Sequence, residues 1–385
     1  MPGKRILNIG LIGYGFMGKA HSNAWRQAPR FFDLPAEIKL QVVCGRDERR
    51  LRLAATRLGW SRIERDWRQV VADPLVDLID ICTPNNSHCE IAVAAARAGK
   101  AILCEKPLAL NTAEARQMVA AVKRASVPNM VCYNYRRIPA IALAKRLIDS
   151  GELGDNIYHC RGRYAQDWIA DPRFPVVWRL QPQTAGSGAV GDIFSHIVDL
   201  ARYLVGELAE ICATTETFIK RRPAGQNRHR GKAKQRFAAI TVDDAVTAVG
   251  RFGNGALFSL EATRFAPGRK NSIVMEINGS QGSLQFDFEE MNRLKLFRQH
   301  DCDCTGGFRD VLVTESDHPY IRQWWPPGHL IGYEHTFVHT VADFVTGVFT
   351  GEPVAPDFAD GLRTQRALDA AVESAHNRKW IRIRA

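Results

Sequence analysis

The chain of 385 residues has no apolar run long enough to span a bilayer as a helix. Its first residues carry no signal-peptide pattern, because Ile6-Leu7-Asn8-Ile9 already begins a strand. The nine cysteines fall at irregular spacings and are odd in number, which excludes a disulfide framework and points to reduced thiols in a cytoplasmic protein. Cys302 and Cys304 form an isolated C-x-C with no His or Cys pair at ligand spacing beside it, so it reads as structural, with no metal. Acidic residues are the minority, 41 against 52 basic ones, giving a net charge of +11. Much of the excess lies between Phe218 and Phe237, in Lys220, Arg221, Arg222, Arg228, Arg230, Lys232, Lys234 and Arg236. With Pro223 and Gly225 among them, this run reads as a solvated loop. No recognised nucleic-acid module accompanies it, so nucleic acid is not an expected partner.

Hydrophobic residues at 45% and charged ones at 24% describe a globular chain long enough for two cores. Residues 6–12 are almost wholly apolar, as in a central parallel strand buried on both faces. Gly13-Tyr14-Gly15-Phe16-Met17-Gly18 follows as a G-x-G-x-x-G before a helix running to about residue 27. The first glycine permits the turn, the second lets backbone approach a pyrophosphate, and the third lets helix and strand pack closely. Amides at the helix start then face the phosphates.

The second strand, Leu40-Gln41-Val42-Val43-Cys44, ends in Gly45-Arg46-Asp47. An NAD enzyme places an acidic ribose ligand here. Gly45 leaves room and Arg46 can neutralise a 2′-phosphate, which favours NADP over NAD. Asp47 either caps the helix 48–58 or reaches the ribose. The strand 75–82 leads into Thr83-Pro84-Asn85-Asn86-Ser87-His88, where Thr83, Pro84, Asn85 and His88 are candidates to hold the cofactor ribose or nicotinamide side. Ala101-Ile102-Leu103-Cys104 ends in Glu105-Lys106-Pro107, at the carboxyl end of a strand, where open parallel sheets bind ligands. Lys106 there can touch both cofactor and substrate hydroxyl. Alternating strands and helices of this kind predict an α/β, doubly wound Rossmann sheet over 1–133.

Beyond residue 151 the pattern turns to strands without intervening helices, at 157–164, 209–218, 245–252, 256–263, 272–279 and 282–288. Residues 134–385 are expected to form an α+β domain on a large, mainly antiparallel open sheet, whose bare face suits a homodimer or homotetramer. A helix over 191–204 places Asp192, His196, Asp199 and Tyr203 on one face. Asp192 and His196 lie one turn apart. A histidine titrates near neutral pH and takes up a proton as hydride leaves. Tyr164, Gln166, Asp167 and Trp168, with Trp178 and Arg179, combine flat rings with hydroxyl-reading polar groups, as a carbohydrate site requires. Trp168 and Trp178 read equally well as core residues. Trp324 and Trp325 either close over a site or pack against it. His335, before a helix over 336–346, is a further substrate contact.

The motifs Gly13–Gly18, Thr83-Pro84-Asn85 with His88, Glu105-Lys106-Pro107 and Asn134-Tyr135-Arg136-Arg137 occur in an order and spacing that resemble the Gfo/Idh/MocA family of NAD(P)-dependent sugar and polyol oxidoreductases. The stretch Tyr164-Ala165-Gln166-Asp167-Trp168, Trp178-Arg179 and Gly191-Asp192-Ile193-Phe194-Ser195-His196 looks like that family's levoglucosan dehydrogenase branch. That branch is known for NAD, against the ending Gly45-Arg46. The resemblance implies Glu105, Lys106, Trp178 and Arg179 about the cofactor, and Asn134 and Arg136 about the substrate. It implies oxidation of a sugar CH–OH, with His196 as base, Lys106 as charged hydroxyl ligand and Asp192 holding hydroxyls or His196; the roles of Lys106 and His196 are exchangeable. Inositol or a glucoside is the alternative substrate. A non-catalytic NAD(P)-sensing regulator is the alternative from another class.

Overall fold

The computed structural model describes residues 4–224, 236–299 and 304–384. They form two compact units, Met1–Ile138 with Tyr320–Arg363, and Pro139–Pro319 with Thr364–Ala385. The expected division at 133/134 leaves 134–138 and 320–363 in the other half. The reason is packing: Phe337, Val338, Val341, Phe344 and Val345 of helix Tyr333–Thr350 share one core with Leu7, Trp25 and Ala28.

In the first unit six parallel strands line up in the order β3-β2-β1-β4-β5-β6, where β1 is Arg5–Ile12, β2 Ala36–Cys44, β3 Arg62–Glu64, β4 Leu78–Ile81, β5 Ala101–Cys104 and β6 Asn129–Val131. Strand order reverses between β1 and β4, the switch point at which such sheets bind ligands. Two glycines shape that point. Gly13 sits at φ +102°, and a Cβ there would stand 2.5 Å from the Cys82 carbonyl oxygen. A Cβ on Gly18 would overlap the Gly13 carbonyl. Only hydrogen at both positions lets helix Phe16–Phe31 lie directly on the sheet. Asp47 and Asn111 cap helices Glu48–Leu58 and Thr112–Ala125 through their side-chain oxygens, as their residue types lead one to expect.

The second unit continues with β7 (Ile157–Ala165), β8 (Leu208–Glu216), β9 (Arg221–Pro223), β10 (Phe237–Ala239), β11 (Ala245–Phe252), β12 (Leu257–Thr263), β13 (Ser272–Gly279), β14 (Gly282–Asp287), β15 (Arg293–Arg298), β16 (Arg309–Leu312) and β17 (Ile381–Arg382). Nine of these make one sheet, ordered β16-β15-β14-β13-β7-β12-β11-β8-β17. All its pairs are antiparallel except β7 with β12. Helix Ser195–Leu204 packs on one face, where Ile197 would lie 2.9 Å from a Cβ on Gly162. The strands alternate accordingly: in β11 Val246, Ala248 and Phe252 are buried while Val249 and Arg251 are exposed.

The basic segment is not all solvated loop. β9 pairs with β10, and Arg222 is fully buried, donating to the carbonyls of Asp171 (2.9 Å) and Ile169 (2.5 Å). Gly225, Arg228, Arg230, Lys232 and Lys234, like Cys302, lie outside the described residues.

Gly18→Ala should lower stability by about 1–3 kcal/mol, since the helix must move off the strand. Gly15→Ala, whose Cβ meets nothing within 4 Å, should stay within about 0.5 kcal/mol of the parent. Urea unfolding of the two variants checks the contrast, and equal losses would refute it.

Candidate active site

In the first unit the predicted nucleotide residues other than His88, which opens helix His88–Arg97, lie in the turns or helix starts that follow the parallel strands. Gly13, Tyr14, Gly15, Phe16, Met17 and Gly18 leave β1; Arg46 follows β2; Thr83, Pro84 and Asn85 follow β4; Glu105 and Lys106 follow β5. Gly15 caps the first helix with no side-chain oxygen on its amides and no acidic residue in the first turn. Open space over Gly15 and uncapped amides on a positive dipole end fit a pyrophosphate.

The second strand's ending differs from its reading. A Cβ on Gly45 would overlap the Tyr14 ring, so the glycine makes room for that ring. Arg46 is exposed. Asp47 uses one carboxylate oxygen to accept from the Arg50 amide at 3.1 Å. The lean towards NADP has no support here.

Two further candidates prove to be internal fasteners. His88 is fully buried, with Nδ1 3.0 Å from the Pro107 carbonyl and Nε2 3.0 Å from that of Thr83. Burial lowers its pKa, and with a carbonyl oxygen against each nitrogen the ring spans the two strand-end turns. Glu105 is buried too, and its carboxylate is spent on His21 Nε2 (3.0 Å) and the Lys106 amide (3.2 Å). Burial would raise the Glu105 carboxyl, but the hydrogen bond and charge of His21 hold it below the usual range. Lys106 itself is half-buried.

Asn134 and Arg136 occupy the buried turn Asn134–Arg137 after β6, where Asn134 donates to Thr336 Oγ1 at 2.8 Å. His335 falls in the third position of helix Tyr333–Thr350. Its Nδ1 accepts from the Gly332 amide at 3.0 Å, and Trp324 meets its ring edge-on at 4.4 Å. Burial pushes its pKa down. It is a helix cap before it is anything else. Trp324 is core; Trp325 is half-exposed.

In the second unit the helix start is held from outside. Both oxygens of Asp243 accept backbone amides, from Gly188 (2.8 Å) and Val190 (2.7 Å), and a Cβ on Gly188 would overlap the Asp243 carbonyl. The first turn, Val190–Phe194, is wider than an α-turn, with the Ser195 amide bonded to the Val190 carbonyl; the regular helix begins only at Ser195. Asp192 sits on this wide turn between Arg179 (Nε to Oδ1, 3.5 Å) and Arg264 (Nη1 to Oδ2, 3.7 Å). Arg264 is fully buried and donates to the Asp243 carbonyl at 2.8 Å. Arg179 lies over the Trp178 ring at 4.3 Å.

His196 is buried, 5.9 Å ring to ring from Tyr164. Tyr164 donates to Asn271 Oδ1 at 2.6 Å, and Gln166 donates to the same oxygen at 2.7 Å. Asp167 pairs with Lys270 at 2.7 Å. Trp168 is partly buried and packs against a small cluster of Ile169, Leu180, Ile240 and Val242 and on Phe174. The sequence reading missed His21, Asn271, Asp243 and Arg264. A charged Asp80 inside the apolar β4, and a histidine three residues after Gly18, were the visible signals for the first of these.

Two family models match the chain. Residues 7–133 fit an oxidoreductase family with an NAD-binding Rossmann fold, and residues 141–285 fit a GFO/IDH/MocA C-terminal domain. Levoglucosan dehydrogenase of Pseudarthrobacter phenanthrenivorans is 44% identical over 384 residues, 98% of each chain. The crystal structure of an oxidoreductase domain protein from Kribbella flavida superposes with a TM-score of 0.94 at 51% identity, covering 99% of this chain and 100% of that one. Levoglucosan dehydrogenase in complex with NADH and levoglucosan superposes with a TM-score of 0.94 at 43% identity, over 99% and 100%.

Asp243→Ala strips the acceptor from two amides at the start of the His196 helix, and about 1–3 kcal/mol of stability should go with it. Arg179→Ala, on a half-exposed side chain, should cost under about 1 kcal/mol. Urea midpoints rank the two; the reverse order would contradict the assignment.

Proposed function

The chain belongs to the GFO/IDH/MocA family of oxidoreductases, and from that premise we propose that it oxidises a ring CH–OH of an anhydro-sugar such as levoglucosan to a ketone, with NAD as hydride acceptor. The observation that carries the reading is the end-to-end likeness to the enzyme solved with NADH and levoglucosan. The NADH held by that enzyme and the NAD-binding Rossmann family model support NAD over NADP. Bound at Gly13–Gly18, NAD would supply the hydride-accepting carbon.

The chain's own residues do the rest. The glycine-loop amides hold the pyrophosphate. Lys106 presents a cation to the reacting hydroxyl and favours the alkoxide. His196 accepts the hydroxyl proton. Asp192, held by Arg179 and Arg264, receives a neighbouring hydroxyl. Tyr164, Gln166 and Asn271 form a ready-made polar patch for further hydroxyls, sharing one amide oxygen among three side chains. Inositols and glucosides are the competing substrates within this reading. We also assign the protein to a reducing compartment such as the cytoplasm, on the buried free thiols of Cys44, Cys104, Cys132 and Cys160. A second copy is the partner proposed for the bare sheet face, where Tyr158, Val249 and Leu257 are exposed.

Cofactor reduction with NAD and NADP, against levoglucosan, glucose, glucosides and inositols, tests the function. Turnover of levoglucosan with NAD preferred is expected; turnover of inositols alone would overturn the substrate, and NADP preference the cofactor. Lys106→Met and His196→Ala should each lose about two to four decades in kcat. Near-full turnover in both would sink the assignment. Sedimentation at micromolar concentration should show a dimer or tetramer, and monomer alone would remove the sheet-face partner.

A further inference from the structure

His21 has no part in the scheme above, yet it bonds the carboxylate of Glu105, the residue before Lys106. Its ring is 1% exposed. Nδ1 stands 2.9 and 3.1 Å from the two oxygens of Asp80, and Nε2 stands 3.0 Å from Oε1 of Glu105. An ionised carboxylate only accepts hydrogen bonds, and a neutral imidazole donates from one nitrogen alone. With both carboxylates ionised, a ring facing one on each nitrogen carries both protons. Trp25 Nε1 donates to Asp80 at 2.7 Å, Cys82 Sγ stands 3.5 Å from Asp80, and Cys132 Sγ stands 3.5 Å from His21 Nε2. Phe337 covers the ring at 5.5 Å.

These groups are close enough to invite a metal. The spacing argues otherwise: two ligands on one tetrahedral zinc stand about 3.3 Å apart, while the N···O separations here, 2.9 and 3.0 Å, are hydrogen-bond lengths. Burial opposes charge on the ring, but Asp80 overrides it and holds the His21 pKa well above the usual histidine value. The second oxygen of Glu105 accepts from the Lys106 amide at 3.2 Å. One carboxylate thus links the ring to the backbone from which Lys106 projects.

We propose that His21, protonated on both nitrogens, is the positioning residue for Lys106: it fixes Glu105, and Glu105 fixes the Lys106 backbone. This deepens the reading of Lys106 as the hydroxyl ligand and rests on it. The opposing account makes His21 a staple between helix and strands with no bearing on the lysine.

Nitrogen-15 labelling of histidines in the full chain reads the ring directly, with His21→Asn assigning the signal. At about pH 8, where an ordinary histidine is neutral, both ring nitrogens should carry protons; one bare nitrogen overturns the proposal. The Lys106 amide should exchange slowly in the parent and lose that protection in His21→Asn, a readout that needs no substrate. With NAD and levoglucosan, His21→Asn should lose about a hundredfold in kcat, the cost of a misplacement of about 1 Å. Trp25→Phe, which removes a donor from the far side of Asp80, should stay within about threefold in kcat while melting lower. Unchanged Lys106 exchange in His21→Asn, or equal kcat losses in the two variants, would assign the ring to stability alone. If His21→Asn does not fold, Asp80→Asn, which removes one of the charges that keep the ring protonated, takes its place with the same exchange and kcat outcomes. Failure of the functional reading looks different: NADH binds, no sugar turns over, and ring protonation and Lys106 exchange still decide the role of His21.

Discussion

The close approach of the first helix to β1, allowed by bare backbone at Gly13 and Gly18, is the constraint on which the nucleotide-binding unit depends. It aims uncapped amides over the switch point. One turn further on, it brings His21 against Asp80 at the end of β4 and Glu105 beyond β5. The buried charges that result are tied to one another. Removing one member of such a set leaves an uncompensated charge and costs about 3–5 kcal/mol. Their pH dependence has opposite signs at the two ends. The raised His21 contributes stability that is complete below about pH 6.5 and lost as pH climbs through its raised folded value. The lowered Glu105 contributes stability present above about pH 4.3 and lost as pH falls through its lowered folded value. Across neutral pH both charges stand, and the turn carrying Lys106 is held from behind.

The second unit solves the analogous problem with arginine. Arg264 is fully buried and touches the Asp243 carbonyl, Asp192 and Asp244. Burial raises the Asp244 carboxyl despite Arg264 and the Phe218 and Ile219 amides that it accepts. A guanidinium keeps its charge under such burial and its planar fork spreads over several acceptors, which an ammonium does not. Asp192 is therefore opposed by positive charge on two sides, Arg179 being the second.

Legibility in the sequence followed local chemistry. The glycine loop, the cap Asp47, and the strands ending at Cys44 and Cys104 were readable because residue type dictates geometry within a few positions. So were the alternating strands of the large sheet, down to Ala245–Phe252 and Ser272–Gly279. Strand Arg293–Arg298 and the edge strand Arg309–Leu312 escaped, being short segments with charged residues among the apolar ones. So did the parallel pairing of β7 with β12, which joins segments about a hundred positions apart and leaves no local mark. Among candidate residues, Lys106 of the first unit and Asp192 and His196 of the second were nameable. What surrounds them was not: His88, Glu105 and His335 read as ligands because their types are those of ligands, and only three-dimensional packing reveals that their polar atoms are taken. Arg222 shows the same limit, a member of a charge run that packing buries completely.

The wide turn under Asp192 carries the last step. A turn with its amide bonded five residues back has poorer hydrogen-bond geometry than the helix it opens, and such turns gather at functional sites. They persist where neighbours over-determine them. Here the neighbours are identifiable: Asp243 takes the amides of Gly188 and Val190 before the turn, and Arg264 joins the Asp243 carbonyl to the Asp192 carboxylate within it. Were the turn to relax to regular helix, Asp192 would rotate about the axis relative to His196, which sits in the regular part. The relation between the proposed base and its neighbouring carboxylate is thus set by a loop residue and a buried arginine, and not by their four-residue spacing alone.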